Sequence, residues 1–291
     1  MSQYVCPWCN TTSDAPATCP ACGAAVDIRA VASKAGWQKM PGAKDMARIQ
    51  CGASSCQIAG TYVPIVDFNL APGDSVYFTH HVILFADTKV KIAAMSLKGA
   101  WKRMFAGLPL VMTQAEGPGH IAFSHDKPGE IVTVPLHPGL SIDVREHVFL
   151  AATHAVQYDW FDPNIWYRIV TGRDDNGNQE TETRYPVGLL MDRFHAPEAP
   201  GLLLLQAGGN VLMRILGPGE TMLIKPTSLL FKDSTVGATL HFEYPDGGWY
   251  SSYLWIRLTG PGRVAVESAF AHMEDPGSNL LDCSPASQSR W

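Results

Sequence analysis

The chain has 291 residues, 46% of them hydrophobic and 17% charged; that is ample material for a large core, with fewer charges than the ~25% of an ordinary soluble domain. Its 22 Lys+Arg against 27 Asp+Glu leave a net charge of −5, which removes any general attraction to nucleic-acid phosphates or anionic lipid. The longest mainly apolar runs, MFAGLPLVM from Met104 and LLLL from Leu202, fall far short of the ~18 residues of a membrane-spanning helix, and the opening MSQYVCPWCN lacks the basic and apolar parts of an export signal.

A reducing cytoplasm is the expected compartment, and there clustered cysteines point to metal rather than disulfide. Cys6-Pro-Trp-Cys9 and Cys19-Pro-Ala-Cys22-Gly23 read as two CPxC knuckles. Four thiolates from Cys6, Cys9, Cys19 and Cys22 satisfy the tetrahedral preference of Zn²⁺ and leave no open position, so the expected zinc is structural. Residues 1–23 are too few to build a core, and metal binding would supply their folding free energy. Cys51 and Cys56 in CGASSC lack the knuckle prolines and, with Cys283, read as ordinary thiols.

Residues 24–57 read as a linker and entry strand, after which the sequence repeats. LAPGDSVYFTHHVILFAD from Leu70, LHPGLSIDVREHVFLAAT from Leu136 and LGPGETMLIKPTSLLFKD from Leu216 align without a gap on Pro72-Gly73, Pro138-Gly139 and Pro218-Gly219. Apolar residues alternate in each: Val76, Phe78, Val82 and Leu84; Ile142, Val144, Val148 and Leu150; Met222, Ile224 and Leu230. Period two means strands with one buried face. A second element, strand, glycine corner, strand, reads as shared around Gly119, Gly209 and Gly262, where glycine permits positive φ or a bulge. Between them RDDNGNQETETR carries an Asn176-Gly177 turn signal and predicts a hairpin; its positions match a calcium loop poorly. Three such units are best buried around a common axis, as one all-β, β-sandwich-like body with internal pseudo-threefold repeat over 58–273, followed by a flexible tail, 274–291.

The run GPGHIAFSHDKPGEIVTVPLHPGLSIDVREHVFLAAT, with its flanking Pro-Gly turns, resembles the family named for altered inheritance of mitochondria (mitochondrial biogenesis), which has many bacterial members, over about Ile58 to His272. The resemblance implies a short double-stranded β-helix built by duplication, as in the tryptophan RNA-binding attenuation protein. It carries no catalytic residue set, and the ribbon lies outside its motif.

Against a cupin-like metal enzyme, His80 and His81 are adjacent and point to opposite faces of a strand, and His81 shares its repeat position with His147, a turn-facing slot. Asp143, Glu146, Glu220 and Glu267 read as a solvated face. Lys98, Trp101, Lys102 and Arg103 offer an RNA-binding alternative that the acidic balance opposes. The stretch from Trp101 to Leu110 reads as a connector packed on the body, an oligomer contact or a peripheral membrane contact. The expectation is a non-enzymatic β-scaffold or binding protein that forms homo-oligomers, with the ribbon on a flexible linker docking an unknown protein partner. A metal-dependent cupin-like enzyme or small-molecule binder is the alternative.

Overall fold

Turn chemistry sets the frame of this protein. In each copy of the repeat the Pro sits second and the Gly third in a four-residue turn, closed by backbone bonds from Asp74 to Ala71 (3.1 Å), Leu140 to His137 (3.0 Å) and Glu220 to Gly217 (3.1 Å). Gly73, Gly139 and Gly219 all take positive φ, +83°, +86° and +72°, the type II signature that only glycine meets without strain.

The computed structural model describes residues 4–14, 17–24, 33–40, 45–95, 112–125, 127–243, 253–285 and 288–289. The stretch from Trp101 to Leu110, and with it Lys98, Lys102 and Arg103, lies outside them. The described chain is nearly all β. Strands β1 (Tyr4–Val5) and β2 (Thr12–Ser13) belong to the cysteine ribbon, β3 (Gln38–Lys39) follows, and β4 (Ala47–Cys51) and β5 (Ser54–Ala59) form a hairpin.

Copy one consists of β6 (Ile65–Leu70), β7 (Ser75–Thr79), β8 (Ile83–Ala86), β9 (Lys91–Ala94), β10 (Met112–Glu116) and β11 (Gly119–Phe123). Copy two has β12 (Gly129–Leu136), β13 (Ser141–Arg145), β14 (Phe149–Thr153), β15 (Gln157–Phe161), an inserted hairpin of β16 (Tyr167–Arg173) and β17 (Gln179–Arg184), then β18 (Met191–His195) and β19 (Gly201–Gly208). Copy three runs through β20 (Val211–Leu216), β21 (Thr221–Ile224), β22 (Leu229–Asp233), β23 (Gly237–Glu243), β24 (Tyr253–Thr259) and β25 (Gly262–Glu267). β26 (Leu280–Cys283) pairs with β16, and β27 (Gln288–Ser289) with β23.

Sheet order repeats with the sequence. In every copy the first, sixth and third strands lie side by side, and so do the second, fifth and fourth: β6-β11-β8 and β7-β10-β9, β12-β19-β14 and β13-β18-β15, β20-β25-β22 and β21-β24-β23. Copies join because the third strand of one copy pairs with the second strand of the copy before it, β14 with β7 and β22 with β13.

The described residues form two compact units, Met1–Ser141 with Val148–Gln157 and Phe194–Leu212, and Ile142–His147 with Tyr158–Arg193 and Met213–Trp291. Copy two contributes strands to each. The first unit is centred on aromatic contacts of Phe68 and Phe78 with Phe123 (5.9 and 4.6 Å between ring centroids) and of Phe149 with Tyr77 and Phe194 (5.6 and 4.8 Å). The second buries Tyr167, Leu229, Phe242, Ile256 and Val264 in one cluster. The alternating apolar residues of the repeat are buried, Met222 in part, except that Leu84 is exposed where Leu150 and Leu230 at the same repeat position are fully buried; β7, β13, β14 and β22 bury the residues between them as well, so these strands have two covered faces where the period-two reading expects one.

The glycine corner of copy two is not where the sequence reading places it. Gly209 lies in the short connection from β19 to β20. The equivalent of Gly119 and Gly262 is Gly201, as contacts prove: a Cβ on these three glycines would meet Val90, Val236 and Val156 Cγ2 at 2.9, 2.8 and 2.5 Å respectively. Those valines follow their Pro-Gly turns by the same number of residues. The next backbone N–H is held alike in each copy, His120 to Asp87 Oδ2 (2.9 Å), Leu202 to Thr153 Oγ1 (2.9 Å) and Arg263 to Asp233 Oδ2 (2.7 Å). Close packing, more than φ, demands the glycine in all three places; Gly119 and Gly262 also have φ of +139°, which Gly201 lacks.

The hairpin around Asn176-Gly177 forms as read. Asp174 Oδ1 accepts the N–H groups of Asn176 (2.9 Å) and Asn178 (2.8 Å), an Asx turn that occupies the acid. Asparagine bonding and those backbone donors hold the Asp174 carboxyl below its ordinary range.

Candidate metal centre

Both CPxC knuckles fold the same way. The N–H of Asn10 donates to Cys6 O (2.8 Å) and that of Gly23 to Cys19 O (2.8 Å), while Cys6 N–H reaches Thr11 O (2.9 Å) and Cys19 N–H reaches Ala24 O (2.7 Å). Asn10 and Gly23 take left-handed φ of 60° and 78°, which turns the chain back after the second cysteine, in conformations that Asn and Gly tolerate best. Each knuckle thereby aims two thiols inward.

All four sulfurs are buried and lie within 4.8 Å of one another. Cys6 and Cys22 Sγ are 3.7 Å apart, Cys9 and Cys19 Sγ 3.6 Å. Tetrahedral thiolates about 2.3 Å from a central Zn²⁺ stand about 3.8 Å from each other, so the spacing fits one ion. Hydrogen bonds from Cys22 and then Cys6 hold the Cys9 thiol far below its usual range, whereas Cys22 is pushed up, first by its bond with Cys6. The four sequence-derived ligands are thus brought together, close enough to hold a metal ion.

The ribbon rests on its own chain. Thr133 Oγ1, on β12, donates to the Trp8 carbonyl (2.7 Å), and Trp8 is buried. One face of the ribbon is therefore taken up by β12. Beside it runs a groove of about 450 Å³ lined by Cys9, Asn10, Gln50, Asp74, His154 and Gly201, among others.

Cys56 is buried, and its thiol is held protonated by hydrogen bonding to Cys51 first and by burial second. His81 is exposed, as is His147, which sits in a turn at φ 67°. The acids divide. Glu220 lies at the surface, pulled low by the N–H of Gly217 and then by Arg214. Asp143 and Glu267, read as solvated, are buried. Asp143 accepts from Lys232 Nζ (2.6 Å) and from Arg193 Nε and Nη2 (2.6 and 3.1 Å), and Glu267 pairs with Arg145. Lys232 stands directly across the strand pair from Asp143, a pairing between copies that local sequence does not announce. Among the described residues the four cysteines are the one group that could hold a metal ion, and no helix is long and apolar enough to cross a membrane.

A family model described as mitochondrial biogenesis AIM24 matches residues 56–269. A crystal structure of a protein from Streptococcus pyogenes is similar in fold, with a TM-score of 0.52 and 21% identity over 75% of this chain and 94% of that one. No curated protein matches.

Proposed function

This chain belongs to the mitochondrial biogenesis AIM24 family, and we propose that it is a β-scaffold that works by assembling copies of itself and holding partners, without chemistry of its own. The observation that carries this reading is apolar side chains exposed on strands that, among the described residues, end their sheets. Leu84 and Phe85 lie exposed on β8, which ends the order β4-β5-β6-β11-β8, and Leu223 on β21, which ends β21-β24-β23-β27. Open edges of this composition template further pairing unless covered. The buried ionisable groups support the same reading, because they are committed to structural pairs: Asp143 to Lys232 and Arg193, Glu267 to Arg145.

In this proposal Cys6, Cys9, Cys19 and Cys22 hold a structural Zn²⁺, whose closed thiolate shell fixes the ribbon and leaves no site for substrate. The seven unbridged cysteines suit a reducing compartment, the cytoplasm. The groove beside the ribbon favours a second reading, a small-molecule binder, since concave sites of this volume take small ligands.

Light scattering on the full-length chain at micromolar concentration tests the assembly. The expected mass is a multiple of the 31.7 kDa of one chain. A steady 31.7 kDa across the concentration range is incompatible with it.

A further inference from the structure

The copies are joined twice by the same strand pair, and its register is identical each time. Where β7 meets β14, Phe78 faces Ala151, Tyr77 faces Ala152 and Val76 faces Thr153. Where β13 meets β22, Val144 faces Phe231, Asp143 faces Lys232 and Ile142 faces Asp233. Counted from Pro72, Pro138 and Pro218, these are the same repeat positions. In both junctions the third strand also carries the same irregularity: its register against the sixth strand skips one residue, Leu150 in β14 and Leu230 in β22. Both leucines are 0% exposed.

A three-copy chain has one third strand and one second strand left over. Among the described residues they are β8 of copy one and β21 of copy three, each at the end of its sheet. β8 skips Leu84 in its register with β11, as β14 and β22 skip their leucines, yet Leu84 is 55% exposed and Phe85 48%. On β21, Leu223 is 37% exposed, where the equivalent Tyr77 and Asp143 are buried. The chain thus carries the two halves of a junction that it builds twice elsewhere.

We propose that β8 of one chain pairs antiparallel with β21 of a second copy, in the register of the internal junctions: Phe85 opposite Ile224, Ala86 opposite Leu223, Asp87 opposite Met222. This rests on the scaffold reading above and gives it a surface. The contact joins unlike edges, so it runs head to tail and leaves a free edge at each end until a ring closes or a filament grows. The Ala86 and Leu223 slots are apolar and small-with-large, like Ala152 and Tyr77 in the first junction. The second junction fills the same slots with Lys232 and Asp143.

That equivalence supplies the test. Leu223→Asp alone, or Ala86→Lys alone, leaves one unpaired charge in the seam and should weaken self-association by about 30-fold or more, driving the mass measured by light scattering to one chain. The double variant Ala86→Lys, Leu223→Asp re-creates the Lys232–Asp143 pair between copies and should restore the wild-type mass. Circular dichroism of the singles should match wild type, since both positions are on strands that end their sheets among the described residues. Single variants that keep the wild-type mass, or a double variant that stays at one chain, overturn this interface while an oligomeric wild type leaves the scaffold reading standing. A wild-type chain of 31.7 kDa overturns both.

Discussion

Alanine at both Cys19 and Cys22 will abolish metal binding by the ribbon and unfold residues 4–14 and 17–24, leaving the β-strands of the three copies in place. Structural zinc contributes roughly 10–16 kcal/mol to the folding of zinc-finger peptides at neutral pH, far more than two strands of two residues each can supply. The β-strands of the first unit should lose little, because their core is the aromatic cluster around Phe123 and Phe149, whereas the bond from the Thr133 hydroxyl to the Trp8 carbonyl is worth about 1 kcal/mol. Hydrogen exchange separates these effects. The amides of Asn10 and Gly23, now bonded to Cys6 and Cys19 carbonyls, should lose protection in the variant or with a chelator, while those of β12 and β19 keep it. Ribbon amides that stay protected without metal would show that the four thiols are not what holds the segment together.

The second large effect lies at the junction of copies two and three. Asp143→Ala should destabilise the second unit by about 3–5 kcal/mol, the usual cost of stranding one partner of a buried ion pair. Lys232 would then lie buried with its ammonium facing an emptied site. Arg193 is better placed to adapt, being 37% exposed and stacked 4.3 Å over the Phe161 ring. Replacing both charges, Asp143→Leu with Lys232→Met, should recover most of the loss, since an apolar pair of similar volume escapes the desolvation penalty. Urea unfolding of the two variants measures the difference. Equal losses would mean that the pair is not desolvated in the folded state.

Local chemistry was legible in the amino-acid sequence, and pairing between distant strands was not. The knuckles, the three Pro-Gly turns and the Asn176-Gly177 hairpin each depend on a few consecutive residues whose backbone preferences are strong. The corner of copy two misled because Gly208-Gly209 drew the eye as a glycine pair, while the real corner, HAPEAPG, keeps the Pro-Gly of the other two corners as Pro200-Gly201 but has Ala199 where they have Gly117 and Gly260. The spacing from Pro138 to Val156, equal to that from Pro72 to Val90 and from Pro218 to Val236, was the signal that could have found Gly201. Asp143 and Lys232 were missed for a different reason: a charge on a strand is buried or solvated according to which strand lies beside it, and that neighbour is 89 residues away in sequence. The ribbon's seat against β12 is also a long-range contact, made by a threonine hydroxyl whose partner is a main-chain carbonyl.

Native mass spectrometry of the full-length protein tests the whole account in one experiment, because it counts chains and bound ions together. The expected species contains two or more chains with one zinc for each. A single chain, or a second stoichiometric metal per chain, would contradict the picture of a repeat scaffold with one structural ion.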